Sequence, residues 1–183
     1  MKRALIIPVI LLFCVLRAAE ADVPKIDIYA DMNHSSCELF DNVQPPVVLV
    51  YYFLSGAAQS NAVRFSAPRP ACWLGATFAG DSGPHTRVGN SQGDWSIAFG
   101  FCLSGTVFLA QTAYLVSGQG VPCCQLSAVA SPYGSFEYLD CSFRQFPVTT
   151  GQKLTINPDA SCHCSQPLAT EATTWGRVKS LYR

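Results

Sequence analysis

Nine cysteines are the most reactive feature of this 183-residue chain. Cys14 lies in an apolar N-terminal run, and the other eight are Cys37, Cys72, Cys102, Cys123, Cys124, Cys141, Cys162 and Cys164. An even count of eight is what four disulfides require in an exported chain. The competing chemistry is a thiolate–imidazole metal site at Cys162-His163-Cys164. Zinc sites usually space paired cysteines two to four residues apart, and no C-x-x-C occurs. A C-x-C pair suits copper(I), but thiols in an oxidising compartment are normally oxidised. The expectation is four disulfides, no metal and no cofactor. Neighbouring residues on a strand point to opposite faces, so Cys123 and Cys124 should take different partners. Cys124 with Cys141 is the most direct pairing, if residues 125–130 and 135–141 form a hairpin. The other pairs stay open, because eight cysteines allow about a hundred connectivities.

The candidate nucleophile is Ser91. Gly89-Asn90-Ser91-Gln92-Gly93 matches G-x-S-x-G, a pattern that needs a strand before it and a helix after it. Asp94-Trp95-Ser96-Ile97 follows and reads as strand, so a turn is the simpler account. The chain has three histidines. His34 and His163 lie beside cysteines, and His85 falls in a Gly83-Pro84-His85 loop expected to be exposed. Ser91, His85 and Asp81 or Asp94 make a triad on paper, but triads are recognised by geometry, not by sequence closeness. A small hydrolase using Ser91 is therefore the alternative reading, and the main one assigns no catalytic residue. Asp27, Asp31 and Asp41 are candidates for a calcium loop, yet the D-x-D-x-D-G run is missing. No phosphate-cradling or dinucleotide motif is present. Twelve basic residues balance twelve acidic ones and are scattered, which leaves no footprint for nucleic acid. Asn33-His34-Ser35 fits an N-glycosylation sequon, relevant only in a eukaryotic secretory route.

The elements that must carry these residues begin after an export signal. Lys2 and Arg3 precede an apolar run over 4–16, and Ala19-Glu20-Ala21 offers the small residues of a cleavage site. Residues 1–21 read as a signal peptide with the mature chain starting at Asp22. A bulky Phe13 before Cys14 disfavours lipoprotein processing. The longest later apolar run, 45–54, is strand-length, so no transmembrane segment is expected after cleavage. Strand patterns follow at 25–30, 47–54, 61–66, 73–78, 95–102, 106–116, 125–130, 135–141 and 153–157. Trp95, Ile97, Phe99 and Phe101 make the cleanest alternation. Ser104-Gly105 and Ser131-Pro132-Tyr133-Gly134 read as hairpin turns. The 75–94 stretch is turn-rich with no convincing helix.

Eight or nine short strands imply an all-β domain over 22–168. A two-sheet antiparallel, immunoglobulin-like sandwich fits best, and a closed barrel is the alternative. Residues 169–183 differ, with Trp175, Val178 and Leu181 at helical spacing. They read as a short closing helix or as an exposed sorting tag.

Several short motifs carry a resemblance: Tyr29-Ala30-Asp31, Gly89-Asn90-Ser91-Gln92, Leu139-Asp140-Cys141-Ser142, Asn157-Pro158 through Cys162-His163-Cys164, and Thr174-Trp175-Gly176-Arg177-Val178-Lys179. The chain resembles a group of uncharacterised secreted bacterial cysteine-rich β proteins ending in a W-G-x-V-K-x-L-Y-type tail. That resemblance implies an exported, disulfide-stapled domain of bacterial origin and no particular activity. The expected function is a non-enzymatic binding or surface-structural module, secreted, periplasmic or at the cell surface. Its expected partner is a protein or a glycan. Exposed aromatics at Tyr133 and Phe136, or near Trp73, are candidate contacts.

Overall fold

The computed structural model describes residues 23–134 and 136–164. The predicted signal peptide over 1–21 and the tail or helix over 169–183 lie outside the described residues. Within them, thirteen strands run in order: β1 (Lys25–Tyr29), β2 (Glu38–Leu39), β3 (Val47–Ser55), β4 (Ser60–Phe65), β5 (Thr77–Ser82), β6 (Thr86–Gly89), β7 (Trp95–Leu103), β8 (Val107–Leu115), β9 (Cys124–Leu126), β10 (Glu137–Leu139), β11 (Gln145–Pro147), β12 (Thr149–Thr150) and β13 (Leu154–Ile156). They form a five-stranded sheet in the order β12-β1-β3-β8-β5, a second in the order β11-β10-β4-β7-β6, and a three-stranded sheet β2-β13-β9. The expected all-β sandwich is present, but with a third small sheet and two parallel pairings, β1 with β12 and β2 with β13, where two antiparallel sheets were expected. Among the described residues no helix is long and apolar enough to cross a membrane.

Alternation explains the layering. Val48, Val50, Tyr52 and Leu54 of β3 all face inward and are buried, as are Ile26 and Ile28 of β1. The second sheet answers with Val63 and Phe65 of β4 and Trp95, Ile97 and Phe99 of β7. Tyr52 meets the Trp95 ring edge-on at 5.4 Å, and Phe65 packs on Trp95 at 5.3 Å. Such aromatic pairs contribute about 0.5–1.5 kcal/mol beyond the area they bury. The small sheet closes one end with Leu39, Leu126, Leu154 and Ile156.

Several local expectations change. The Ser104-Gly105 turn does not close a hairpin: β7 pairs with β4 and β6, whereas β8 pairs with β3 and β5. The turn, with Gly105 at φ 78°, instead carries the chain from one sheet to the other. The alternation through Phe101 also breaks, because Gly100 adopts φ 78° and leaves Phe101 64% exposed. Trp73 lies in a turn, fully buried, and only Thr77 and Phe78 of the 73–78 stretch are strand. The 75–94 stretch contains the edge strands β5 and β6, whose glycines and polar residues hid them.

All eight cysteines described are paired: Cys37–Cys164, Cys72–Cys124, Cys102–Cys141 and Cys123–Cys162. The proposed Cys124–Cys141 bridge is therefore wrong. Its premise fails first, because β9 pairs with β13 while β10 pairs with β4 and β11. The Ser131–Gly134 segment thus joins different sheets. Cys124 is left facing the core beside Cys72, and Cys141, in the loop after β10, meets Cys102 near the end of β7. Cys123 and Cys124 do take different partners, as opposite faces require. The bridges span 39 to 127 residues of sequence, for which a chain-entropy account gives roughly 3–5 kcal/mol each.

Peptide mapping of the unreduced protein should recover Cys72 linked to Cys124 and Cys102 linked to Cys141. A Cys124–Cys141 peptide would contradict the topology. Trp95→Ala should destabilise the domain by about 3–5 kcal/mol, read from denaturant unfolding.

Candidate binding face

Ser91 is fully buried, in a turn between β6 and β7. Strand follows strand here, so the residue never reaches the exposed helix start that a nucleophile elbow needs. Its backbone N–H donates to Asp81 Oδ2 at 2.8 Å, and its carbonyl accepts from Ala67 N at 2.7 Å. Its Oγ accepts from Gln92 Nε2 at 3.0 Å and lies 3.2 Å from Thr112 Oγ1. Thr112 Oγ1 in turn donates to Asp81 Oδ1, and Gln92 Nε2 reaches Tyr114 Oη at 2.8 Å. Burial pushes the Tyr114 hydroxyl up to about 12. This network ties the β6–β7 turn of one sheet to β5 and β8 of the other.

The histidines are scattered. His85 is partly buried rather than free, with Nε2 3.0 Å from the Phe108 carbonyl and its ring on Phe99. His34 covers Phe53 at 3.8 Å between ring centroids. His163 meets Glu38 at 3.1 Å. Of the calcium candidates, Asp27 accepts from Gln152 N and Ser55 Oγ, and Asp41 from Gly120 N and Asn157 Nδ2. Asp31 caps the 33–36 turn. Burial raises its carboxyl pKa, but bonds from Ser35, Asn33 and Ser36 outweigh that and hold it below the usual value. Cys123, Asp159 and Cys162 bring ligand-type atoms within 4.8 Å, yet the two sulfurs are bonded to each other. Cys162 and Cys164, the thiolates of the metal alternative, are both in disulfides. Trp73 belongs to the core and Phe136 is partly buried, whereas Tyr133 is 82% exposed.

The second sheet presents a different kind of surface. With Val63, Phe65, Trp95 and Ile97 turned inward, alternation turns Ala62, Arg64, Ser96 and Ala98 outward. Register places Thr86, Ala98, Ala62, Leu139 and Gln145 in one row across five strands. A second row holds Val88, Ser96, Arg64, Glu137 and Pro147. Small residues on the central strands and longer ones at the flanks leave a trough of about 200 Å³. Val88 stands 71% exposed on its edge. One corner is fixed electrostatically. Arg64 Nε and Nη2 donate to the two Asp94 oxygens at 2.8 and 2.6 Å, and Ser131 Oγ also donates to Asp94. The Arg64 bond, then the Ser131 bond, holds the Asp94 carboxyl below its usual range. The sequence carries a trace of this face in the small residues alternating with large apolar ones at 62–65 and 95–98. Which sheet they join was not readable.

The fold as a whole, rather than this face, resembles solved structures. A cohesin module from a family 33 glycoside hydrolase of Clostridium perfringens superposes with a TM-score of 0.51 at 8% identity, covering 75% of this chain and 98% of that one. The sandwich has a cohesin-like fold. The sixth cohesin of scaffoldin B from Acetivibrio cellulolyticus, solved with a Cel5 dockerin mutant, gives 0.48 at 14% identity over 75% of this chain and 99% of that one. No protein-family model matches the chain, and no curated protein matches it. At these identities the likeness is one of fold alone.

Ser91→Ala should lower stability by about 1–2 kcal/mol by leaving buried donors short of a partner. Denaturant unfolding reads this. Because the Asp94 carboxyl is held low in the folded state, its contribution should be complete above the ordinary carboxylate value of about 4. It should be lost as pH falls through the lowered folded value. Asp94→Asn should flatten that acid limb of an unfolding-against-pH series.

Proposed function

We propose that this chain is a secreted, non-enzymatic binding module that takes a protein partner on the outward face of β10-β4-β7-β6. The observation that carries the reading is the trough itself: a sheet face left uncovered by the described residues, with an alanine and serine floor and a preset Arg64–Asp94 pair at its rim. Small floor residues let a partner's side chains or backbone approach closely. A bidentate pair already formed costs little further ordering on binding and sets orientation. A rigid stapled scaffold limits the entropy lost on docking. The cohesin-like fold is consistent with a module that works by binding, although a β-sandwich by itself assigns no function. Four disulfides suit an oxidising extracellular setting, and the apolar run over 4–16 supplies the route there. The buried setting of Ser91 weighs against the hydrolase reading, since the side chain presents no open Oγ to a substrate.

The test uses the full chain as bait against the extracellular protein fraction of its source. Ala98→Arg places a long cation on the trough floor, opposite Ala62. The partner recovered by the wild type should be lost with A98R while the unfolding transition stays within about 0.5 kcal/mol, as for surface substitutions generally. Equal recovery by both proteins would refute this face. The mature protein should begin at Asp22 by intact mass.

A further inference from the structure

At the far end of the second sheet, β10 and β11 are joined by five residues, 140–144, in which Asp140 and Arg144 close a three-residue tip. Asp140 N donates to Arg144 O at 2.9 Å, and Phe143 N donates to Asp140 O at 3.0 Å. Loops of this length combine a type I turn with one residue in the left-handed region, a position that favours glycine. Here that residue is Phe143, at φ 58°. A bulky side chain in this conformation is strained. Burial does not offset the strain, because Phe143 is 70% exposed. A strained residue with no packing reward is a mark of function, provided its surroundings hold it in place.

The surroundings do so. The nearly buried Asp140 carboxylate accepts from Ser142 N, Arg144 N and Arg144 Nε at 2.8–2.9 Å. These backbone and side-chain bonds keep its carboxyl below the usual range. The Cys102–Cys141 bridge ties the loop to β7. The hairpin therefore presents the ring from a rigid mount.

Beside the loop lies a groove of about 430 Å³ that includes Gln59, Ser142, Arg144 and Phe146, within the usual range for small-ligand sites. Arg144 lies 5.5 Å over the Phe146 ring, and Tyr138 stacks on that ring at 5.5 Å. The Arg144 and Asp140 charges cancel in their ion pair. What remains for a ligand is an amide and a hydroxyl in the groove, with no net charge, and next to it in the chain the exposed Phe143. A sugar ring offers the matching set: an apolar C–H face for the aromatic ring and hydroxyls for amide and hydroxyl groups.

We infer that the β10–β11 hairpin is a binding site for a neutral polysaccharide, with Phe143, exposed at the loop tip outside the groove's lining, as a stacking platform beside it and Gln59 and Ser142 in the groove as hydroxyl partners. The groove adjoins the trough and shares Tyr138 in its lining, but the groups that would touch a ligand differ, so either reading can fail without the other.

Native affinity electrophoresis of the full chain through gels containing β-glucan, xylan or mannan tests it. The wild type should be retarded in at least one gel relative to a blank gel, and to the same extent in A98R. Phe143→Gly should abolish the retardation while raising the unfolding midpoint, because glycine relieves the strain. Gln59→Ala should weaken retardation without changing the midpoint. Three results would overturn the inference: wild-type mobility unchanged in all three gels, retardation that survives in F143G, or an F143G domain that unfolds at a lower temperature than the wild type.

Discussion

The contact of Tyr52 and Phe65 with Trp95 is the constraint on which the rest of the molecule depends. Tyr52 sits on β3, the middle strand of one sheet; Phe65 and Trp95 sit on β4 and β7 of the other. Once these rings meet between the layers, period-two geometry assigns every neighbouring side chain to an outer face. Arg64 and Ser96 point to solvent because Phe65 and Trp95 do not. The same burial leaves the Trp95 Nε1 without a hydrogen-bond partner among the described residues. That is a cost of filling a core with large amphipathic rings. It is tolerable here because the apolar area buried by each ring exceeds what one lost polar contact removes.

The disulfides act where hydrogen-bond ladders are thin. The sheet β2-β13-β9 has strands of two or three residues, too short to hold position alone. Cys37–Cys164 and Cys123–Cys162 bracket it, and Cys72–Cys124 fastens it to the loop that carries Trp73. The fourth bridge serves the β10–β11 hairpin. Covalent links thus reinforce the periphery, while the two large sheets rely on apolar packing. This division suits a protein without much charge to organise its surface.

Two outer features of the second sheet gain from that rigidity. The trough is a consequence of small residues on central strands, and the hairpin tip is a consequence of one residue that breaks the rule of its turn. Both need a fixed backbone to be useful, because a flexible platform would lose on docking the entropy that a rigid one has already given up. The buried Ser91 network contributes the same property by locking the β6–β7 turn against β5 and β8.

Much was legible in the chain alone. Eight cysteines beyond Cys14, strand-length apolar runs and turn residues between them determined an all-β, disulfide-rich domain, because these depend on composition and on short-range periodicity. That Gly89-Asn90-Ser91-Gln92-Gly93 is a turn between strands and not a strand–helix elbow was also readable, since Asp94-Trp95-Ser96-Ile97 after it reads as strand. Partnering was not. The Ser104-Gly105 turn and the Ser131–Gly134 segment look like hairpins locally, yet each crosses between sheets. Local turn preference is weaker than the burial gained when a strand joins the layer that completes the core. Cysteine pairing followed from that choice, and so did the trough, whose rows draw on five strands from across the chain. Phe143 is an ordinary residue in the sequence. Only the closed hairpin, with its loop length set by the pairing of β10 and β11, makes its position one that glycine would normally hold.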